Sequence, residues 1–597
     1  MNNWVNCNVF GFEKNSSSDN NEWVAGKNVL RKTRSRMMVV FFVFCVAYAA
    51  IIGRMTHLTL AQQMVEFSEP DSVAVKKATG EDIANTKRAD IVDREGRLLA
   101  TSLKTSSLYA DPKFIADAPD AARKLMGVFP HLNYDETVKK LSGKRRFVWI
   151  KRNLTPKQIY AANRLGIPGI DFIEETRRVY PYGALTSHVV GYADVDGNGL
   201  SGLERAMDSA LKDGHTTLQT TIDVRMQHVL HREIKKSIDD FNAIGGAGVI
   251  MDAKTGEVYA MASLPDFNPH QAGRITDEQR FNRITLGAYE MGSTFKPFTV
   301  AAGLEMENIP LTKYYDATTS LYRAGFTIRD FHGKHRPVSV PEILIYSSNI
   351  GTALMAEQIG TDNMKKMYEA LGFFQKPEIE IKEVASPIIP RPWRPISTVT
   401  ASYGHGIAVT PLHVSAGMAA LVNGGLKVKP TVIKRDASSY ANEAPQRIIS
   451  EATSAKMRGL LRVVATDGSA RKANATGYRV GGKTGTAEKT LGRGYSRKAQ
   501  IASLVAAFPM DDPRFIVMIM VDEPKGNKSS YGYATAGWVA APYVGNVVRD
   551  IAPLAGIMPQ ADTRLQAVRA SFGLTPSAQH ASGTYTSRQQ GGRLASY

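Results

Sequence analysis

The chain has 597 residues, too many for one compact domain and typical of about two to four domains. Its hydrophobic fraction of 43% and charged fraction of 22% are those of a folded protein. The net charge of +18 could indicate a nucleic-acid partner, but the sequence has no zinc-ligand cluster, RNP signature or helix-turn-helix pattern. The two cysteines, Cys7 and Cys45, are too few for a disulfide framework or a cysteine-ligated metal site. We therefore expect no nucleic acid, no metal and no cofactor.

The N-terminus has the pattern of a membrane anchor. Residues 1–36 are polar and end in a basic cluster, and residues 37–52 are an unbroken apolar run. This run is shorter than the ~20 residues that span a bilayer, but a helix extended over 37–60, with Arg54 snorkelling toward the headgroups, is long enough. The positive-inside rule then predicts a cytoplasmic tail, a single transmembrane helix and a periplasmic remainder. A cleaved signal peptide is the alternative, because Ala47-Tyr-Ala49 resembles a cleavage site, but the leader is unusually long and polar.

Residues 61–240 are predicted to mix helices and strands without a catalytic cluster. A strand ending in a charged turn at Gly96 contains three residues that could suggest a metal or acid/base site: Asp90, Asp93 and Arg94. Charge runs are usually solvated, so we interpret these residues as salt bridges of a structural hairpin. Glu204 is at least as readily structural as functional.

Residues 241–555 are predicted to form an antiparallel sheet flanked by helices, an α+β layering. Apolar runs typical of strands occur at four places: 247–251, 258–262, 501–508 and 515–521. Between the second and third run lie stretches with helical periodicity, 341–359 and 361–371 among them. Residues 556–597 are polar and rich in Ser, Gln, Gly and Arg, which predicts a disordered tail.

Three short motifs follow one another in this region: Ser293-Thr-Phe-Lys296, Ser347-Ser-Asn349 and Lys483-Thr-Gly-Thr486. Their order is the signature of an active-site serine that is acylated by D-alanyl-D-alanine or by a β-lactam. Each motif alone is weak, because Ser-x-x-Lys recurs at Ser209 and Ser469, and Lys-Thr-Gly recurs at Lys254.

Local context separates the copies of the serine motif. Pro297 is tolerated in the first turn of a helix, so Ser293 is predicted to lie where a loop enters a helix. Residues three apart share a helix face, so the Lys296 amine is expected to reach the Ser293 hydroxyl. Ser209 and Ser469 lie in charged or polar stretches and are interpreted as ordinary solvated residues.

The two Lys-Thr-Gly copies differ in the same way. Lys254 lies between two predicted strands, and Gly256 suits the hairpin turn that joins them, so Lys254 is interpreted as structural. Lys483 follows Val480 and two glycines, where small residues let a substrate backbone approach closely. Lys483 is therefore the functional candidate.

The chain resembles the class B penicillin-binding proteins, most of all the division-specific D,D-transpeptidases of Gram-negative bacteria. The resemblance extends from the anchor through Pro542 and is closest over 289–297 and 482–487. It implies a penicillin-binding serine transpeptidase fold, with a non-catalytic dimerisation or pedestal domain at 61–240 and a transpeptidase domain at 241–555. Two departures from the family, His405 and His413, could alter how the wall of the site is packed.

Serine is a weak nucleophile at neutral pH and needs an adjacent base. Lys296 can be that base if its amine is partly deprotonated, which burial and a nearby positive charge favour. Lys483 could supply this charge while binding the terminal carboxylate of the substrate. The resemblance implies that Ser347 relays a proton to the departing D-alanine. It implies a substrate-binding set of Asn349, Lys483, Thr484, Gly485 and Thr486, and an oxyanion hole made by the backbone N–H groups of Ser293 and Thr486.

The resemblance also implies the substrates and partners. These are peptidoglycan stem peptides, β-lactams as covalent inhibitors, and a polytopic glycosyltransferase with other division proteins in the inner membrane. The alternatives are an elongation-specific transpeptidase and a non-catalytic scaffold or β-lactam sensor. A β-lactamase needs a deacylating base that the sequence does not offer, and a class A synthase needs a glycosyltransferase module. A serine–histidine triad with His405 is unnecessary beside the lysine motif.

Overall fold

The structure is a computed structural model that describes residues 88–574, apart from 437, 439–444 and 492–493, and eight separate positions between 38 and 52. The predicted tail 1–36 and most of the predicted anchor 37–60 lie outside these residues. Among the positions that were described, no helix has the length and apolar character needed to cross a membrane. The chain divides into two compact units, 1–83 and 84–597, and the fold below is that of the second.

The first part of this unit is built on a small sheet. Its strands are β1 (Ile91–Val92), β2 (Leu98–Ala110), β3 (Val148–Leu154), β4 (Ile170–Val179), β5 (Tyr192–Ala193), β6 (Gly199–Ser201) and β7 (Leu218–Gln219). Its helices are α1 (Ala118–Val128), α2 (Tyr134–Leu141), α3 (Pro156–Asn163), α4 (Ser187–Val190), α5 (Gly202–Ala206) and α6 (Asp208–Asp213). The strand order is β3-β2-β1-β7, and β4 also pairs with β2; β5 and β6 form a separate pair. The β1–β7 pair is parallel, and the other pairs are antiparallel.

The charged turn before β2 has the contacts of the predicted structural hairpin. The buried Asp93 carboxylate accepts hydrogen bonds from the backbone N–H groups of Glu95 and Arg97, both at 2.8 Å, and pairs with the Arg97 side chain at 3.0 Å. The Asp90 carboxylate accepts a hydrogen bond from the Thr101 hydroxyl at 2.7 Å. These oxygens are used within the hairpin, which agrees with a structural role.

Glu204 is fully buried and joins two arginines from different segments. Its carboxylate lies 2.6 Å from the Arg88 Nε and 2.7 Å from the Arg178 Nε. Arg88 also pairs with Asp208 at 2.8 Å. We refer to Arg88, Arg178 and Glu204 as the Glu204 cluster; each of its charges has an oppositely charged partner, as a structural cluster needs.

The second part contains the larger sheet and most of the helices. Its strands are β8 (Gly245–Asp252), β9 (Val258–Leu264), β10 (Tyr314–Tyr315), β11 (Leu321–Arg323), β12 (Phe326–Ile328), β13 (Val338–Ser339), β14 (Gly481–Leu491), β15 (Gly494–Phe508) and β16 (Phe515–Asp522). Its helices are α7 (Val224–Phe241), α8 (Asp277–Arg280), α9 (Lys296–Met306), α10 (Val340–Ile345), α11 (Asn349–Ile359), α12 (Thr361–Ala370), α13 (Pro395–Ala401), α14 (Pro411–Val422), α15 (Glu451–Asp467), α16 (Ala536–Val539), α17 (Ala541–Leu554) and α18 (Leu565–Ser571).

The larger sheet has the order β14-β15-β16-β8-β9 and is antiparallel throughout. A side chain at Gly248 on β8 would meet Leu230 and Ile234 of α7, so even positions of this strand face α7. Met518 pairs with Val249 and accepts a hydrogen bond from Ser415 of α14, so α14 covers the opposite face. The sheet is therefore enclosed between helices, and the predicted α+β layering is confirmed. Strand β14 lies at one edge.

The four predicted strands are confirmed, and each extends beyond its apolar run. The helical stretch predicted over 341–359 is instead two helices, α10 and α11. Ser347 between them has a φ of 58°, which an α-helix cannot contain. The interruption therefore falls on a residue of the second motif.

The disordered tail predicted over 556–597 is wrong for residues 556–574, which include the helix α18. Helix α18 packs on α15, where a side chain at Gly459 would lie 2.8 Å from the Phe572 ring. Arg569 is buried and pairs with Asp467 at 2.8 Å. The polar composition of this segment did not reveal these partners, because they belong to a helix about a hundred residues earlier. Residues 575–597 lie outside the described residues.

Candidate active site

Ser293 lies in a tight turn pressed between two other segments. The turn is a 3-10 helix, Gly292–Phe295, that leads into α9. A side chain at Gly404 would lie 2.2 Å from the Gly292 carbonyl oxygen, and one at Gly485 would lie 2.5 Å from the Met291 carbonyl oxygen. Only glycine permits these contacts. They fix the serine turn against β14.

The second motif is held by a carboxylate that the sequence did not single out. The two oxygens of Asp330 accept hydrogen bonds from the Ser348 hydroxyl at 2.7 Å and from the backbone N–H groups of Asn349 and Ile350 at 2.5 and 3.0 Å. A carboxylate at the first turn of α11 satisfies its unpaired N–H groups and favours the helix dipole. This anchoring holds Ser347 in its left-handed conformation, a strain that often marks functional sites.

The three motifs meet at the Ser347 hydroxyl. The Lys296 amine donates to the Ser347 carbonyl at 2.5 Å, to the Asn349 Oδ1 at 2.7 Å and to the Ser347 Oγ at 3.1 Å. The Lys483 amine donates to the same Oγ at 2.9 Å. We refer to Lys296 and Lys483 as the lysine pair. Both side chains are fully buried, and within the described residues neither amine has a carboxylate at ion-pair distance.

Burial without a counter-charge changes the protonation of the lysine pair. Desolvation lowers the pKa of Lys483 to about 7. The pKa of Lys296 is lowered well below its usual 10.5, mainly by burial and further by the charge of Lys483, against a smaller opposing effect of Asp330. Because Lys296 also feels the charge of its neighbour, it is the lysine of the pair that should release its proton first. The arrangement offers a neutral amine beside an ammonium group at one buried hydroxyl.

The side chains of β14 that follow Lys483 contact two further segments. The Thr484 hydroxyl makes a short hydrogen bond with the hydroxyl of Ser469, and the Thr486 hydroxyl accepts one from the backbone N–H of Ala536 at 3.1 Å. A side chain at Gly292 would lie 3.2 Å from the Thr486 carbonyl oxygen. The backbones around the first and third motifs are thus neighbours, as a shared oxyanion hole requires. Its two N–H donors remain a prediction.

One expected contact is different in the structure. Lys296 was expected to reach Ser293, but its amine is directed to Ser347 and Asn349, and the structure shows no hydrogen bond between Lys296 and the Ser293 hydroxyl. The first-turn position of Pro297 is as predicted. The reason for the difference is tertiary, since the three acceptors belong to a segment about fifty residues away.

The residues of the rival motif copies have other partners. Lys212 of the Ser209 copy pairs with Asp208 at 2.8 Å on an exposed helix. Lys254 lies in the β8–β9 turn and pairs with Asp512 at 2.7 Å. Ser469 is exposed, as predicted for a solvated residue, but its hydroxyl also bonds to the Thr484 hydroxyl of the third motif, a contact that was not predicted. Nothing in its local sequence signals this contact.

The two histidines that depart from the family have structural contacts. His413 is buried at the start of α14, where its Nδ1 bonds to the Thr410 hydroxyl at 2.8 Å and its Nε2 to the Gln375 carbonyl at 2.8 Å. Burial lowers the pKa of His413 to about 4. The His405 ring packs against Tyr403 at a centroid distance of 5.3 Å, and burial together with the charge of Lys296 lowers its pKa. No group of three or more acidic, histidine or cysteine residues in the described part of the chain could hold a metal ion.

Comparisons with known families agree with this site. The family described as the penicillin binding protein transpeptidase domain matches residues 246–545. The family described as the penicillin-binding protein dimerisation domain matches residues 83–239. The chain therefore belongs to the penicillin-binding protein transpeptidase family.

Individual relatives support the same assignment. The probable peptidoglycan D,D-transpeptidase FtsI of Caulobacter vibrioides is 39% identical over 484 residues, covering 79% of this chain and 82% of the relative. The probable peptidoglycan D,D-transpeptidase PenA of Neisseria meningitidis is 30% identical over 573 residues, covering 90% and 96%. Penicillin binding protein 3 of Mycobacterium tuberculosis, solved in complex with aztreonam, shares the fold with a TM-score of 0.62 at 23% identity, over 79% of this chain and 97% of the other.

Proposed function

We propose that the protein is a peptidoglycan D,D-transpeptidase that cross-links stem peptides through an acyl-serine intermediate. The observation on which this rests most is the buried lysine pair at the Ser347 hydroxyl, next to the turn of Ser293. Two relatives named as probable peptidoglycan D,D-transpeptidases align with this chain over most of their length. Two uncompensated buried lysines at a serine suit proton transfer, not structural stability.

In the first step, the Ser293 oxygen attacks the carbonyl carbon of the penultimate D-alanine. Lys296 takes the hydroxyl proton, and the backbone N–H groups of Ser293 and Thr486 hold the negative oxygen, with donors of this kind contributing about 2.7–4 kcal/mol each. The C–N bond to the terminal D-alanine then breaks. Ser347, bonded to both lysines, passes the proton to the departing amine.

In the second step, an amine of a neighbouring stem peptide attacks the acyl carbon of the acyl-enzyme. The bond between this carbon and the Ser293 oxygen breaks, and a proton of the amine passes to that oxygen, giving the cross-link and free Ser293. In the first step, before the terminal D-alanine leaves, Lys483 and the hydroxyls of Thr484 and Thr486 bind its carboxylate, and Asn349 holds the backbone of the donor peptide. Gly485 allows the serine turn to approach β14. We propose that β-lactams acylate Ser293 in the same way and remain attached.

The test is covalent labelling of the full-length protein by a fluorescent penicillin. Ser293→Ala should abolish the label, while Ser209→Ala, the matched control from the rival motif, should keep it. Ser293→Ala should reach the membrane but fail to support growth as the single copy. Growth supported by Ser293→Ala would mean that the essential role is that of a scaffold, and the catalytic proposal would be withdrawn.

We also propose a septal role in an inner-membrane complex with a polytopic glycosyltransferase and other division proteins. The support is the FtsI name of the Caulobacter vibrioides and Escherichia coli relatives. Depletion followed by microscopy tests this, since long filaments indicate division and round cells indicate elongation.

The proposed topology has a cytoplasmic tail at 1–36, an anchor at 37–60, a dimerisation domain at 61–240 and a periplasmic transpeptidase domain at 241–555. It is supported by the apolar run and the basic residues before it. A reporter fused after residue 70 should then be active in the periplasm, and the mature protein should keep its N-terminus. A mature protein starting at Ala50 would instead identify a cleaved signal peptide.

A further inference from the structure

The connection between α15 and β14, residues 468–480, forms one wall of the site. Ser469 in this connection bonds to the Thr484 hydroxyl of the third motif. A side chain at Gly468 would lie 2.8 Å from the carbonyl oxygen of Ile345, the last residue of the helix that precedes Ser347. A shift of this connection would therefore change the positions of the second and the third motif together.

The C-terminal segment 557–574 holds this connection along its length. At one end Arg569 pairs with Asp467 at 2.8 Å. In the middle the backbone N–H of Gln560 donates to the Gly477 carbonyl at 2.8 Å.

The other end is held through a buried arginine of α15. Asp562 pairs with the Arg462 Nε at 2.7 Å. The Nη1 of Arg462 donates to the Val480 carbonyl at 2.6 Å and to the Asn474 Oδ1 at 2.8 Å. Val480 directly precedes β14, so Asp562 acts on the start of the strand that contains Lys483.

We propose that the segment 557–574 is an intramolecular brace, in which Asp562 and Arg569 are positioning residues for the carboxylate-binding side of the site. The expected effect of the brace on acylation rests on the proposed function. Without Asp562, Arg462 loses its charge partner while it must still hold Val480. Without Arg569, the residue before Gly468 loses its anchor, and Ser469 and Thr484 lose their fixed spacing.

The test compares the full-length protein with Asp562→Asn/Arg569→Gln and with Arg564→Gln, an exposed arginine beside α18. A truncation after Leu574 is the second control. The double variant should acylate Ser293 with penicillin about 10- to 100-fold more slowly, mainly through weaker binding, because a displacement of about 1 Å can cost about 100-fold. Both controls should react like the unaltered chain.

Hydrogen exchange of the backbone N–H groups of residues 468–480, measured well below the melting temperature, separates positioning from global stability. Faster exchange there, together with slower acylation in a folded variant, supports the brace. A lower Tm with unchanged acylation would overturn it, since the segment would then be structural only. If the unaltered chain is not acylated, the proposed function fails, and hydrogen exchange is then the test of the brace. Unchanged exchange of residues 468–480 in the double variant would overturn the brace.

Discussion

The lysine pair and the Glu204 cluster are both groups of buried charges, but they are built in opposite ways. In the Glu204 cluster, a carboxylate lies within 2.7 Å of each arginine Nε. In the lysine pair, two fully buried amines share a neutral serine hydroxyl. The paired charges of the Glu204 cluster hold separate segments together, whereas burial without a carboxylate partner lowers the pKa of both amines of the lysine pair. The difference supports the proposal that the lysine pair, and not the Glu204 cluster, takes part in the chemistry.

The largest expected effect concerns the base. Lys296→Arg keeps a positive charge but cannot release a proton, because the guanidinium stays protonated in proteins. Acylation by a fluorescent penicillin should fall by about 10²–10⁴-fold, the usual contribution of a general base. Lys254→Arg is the matched control from the structural Lys-Thr-Gly copy and should leave the rate unchanged. A Lys296→Arg protein that acylates normally would contradict the role of Lys296 as base.

The Glu204 cluster should respond in stability. Glu204→Gln leaves Arg88 and Arg178 without their shared carboxylate, so unfolding should become easier by about 3–5 kcal/mol, the cost of breaking a buried ion pair. Thermal unfolding measures this, and the fraction that remains folded should acylate normally. Glu136→Gln, which removes an exposed partner of Lys140, should hardly change Tm. An unchanged Tm in Glu204→Gln would contradict the stabilising role that distinguishes the Glu204 cluster from the lysine pair.

The pH profile of acylation should show the shifted pKa of Lys483. This amine is charged below its pKa of about 7 and neutral above it. As the pH rises through this value, the attraction for the penicillin carboxylate is lost, and the second-order rate constant should fall by about tenfold or more, the contribution of a charged hydrogen bond. Lys483→Arg stays charged, so its alkaline limb should disappear from the range between pH 7 and 10. An alkaline limb retained in Lys483→Arg would assign it to another group.

The smallest expected effect is at Ser469. Ser469→Ala removes its hydrogen bond to Thr484 without changing any charge, so acylation should slow by about fivefold, the net value of a neutral hydrogen bond of about 1 kcal/mol. Measuring the rate at several penicillin concentrations should place the change in binding. Equal rates for Ser469→Ala and the unaltered chain would show that the hydrogen bond between Ser469 and Thr484 does not contribute to acylation.

The sequence alone predicted much of the site, because local patterns report local structure. The apolar runs located four of the five strands of the larger sheet. The proline after Lys296 indicated a helix entry at Ser293, where the structure has a 3-10 turn that leads into α9. The order and setting of the motifs separated Ser293 from Ser209 and Lys483 from Lys254. The break at Ser347 was missed, since apolar periodicity on both sides of it resembled one continuous helix.

The sequence by itself determined the residue types of the chemistry: a serine nucleophile, two lysines and a serine–asparagine motif in family order. Only the tertiary structure decided their partners. Lys296 meets Ser347 across 51 residues, and Lys483 meets the same hydroxyl across 136. The contacts of Ser469, Asp330 and Arg569 are likewise non-local. Periodicity and turn chemistry define faces and ends of elements, but which faces meet depends on how the whole core packs, and no short pattern contains that information.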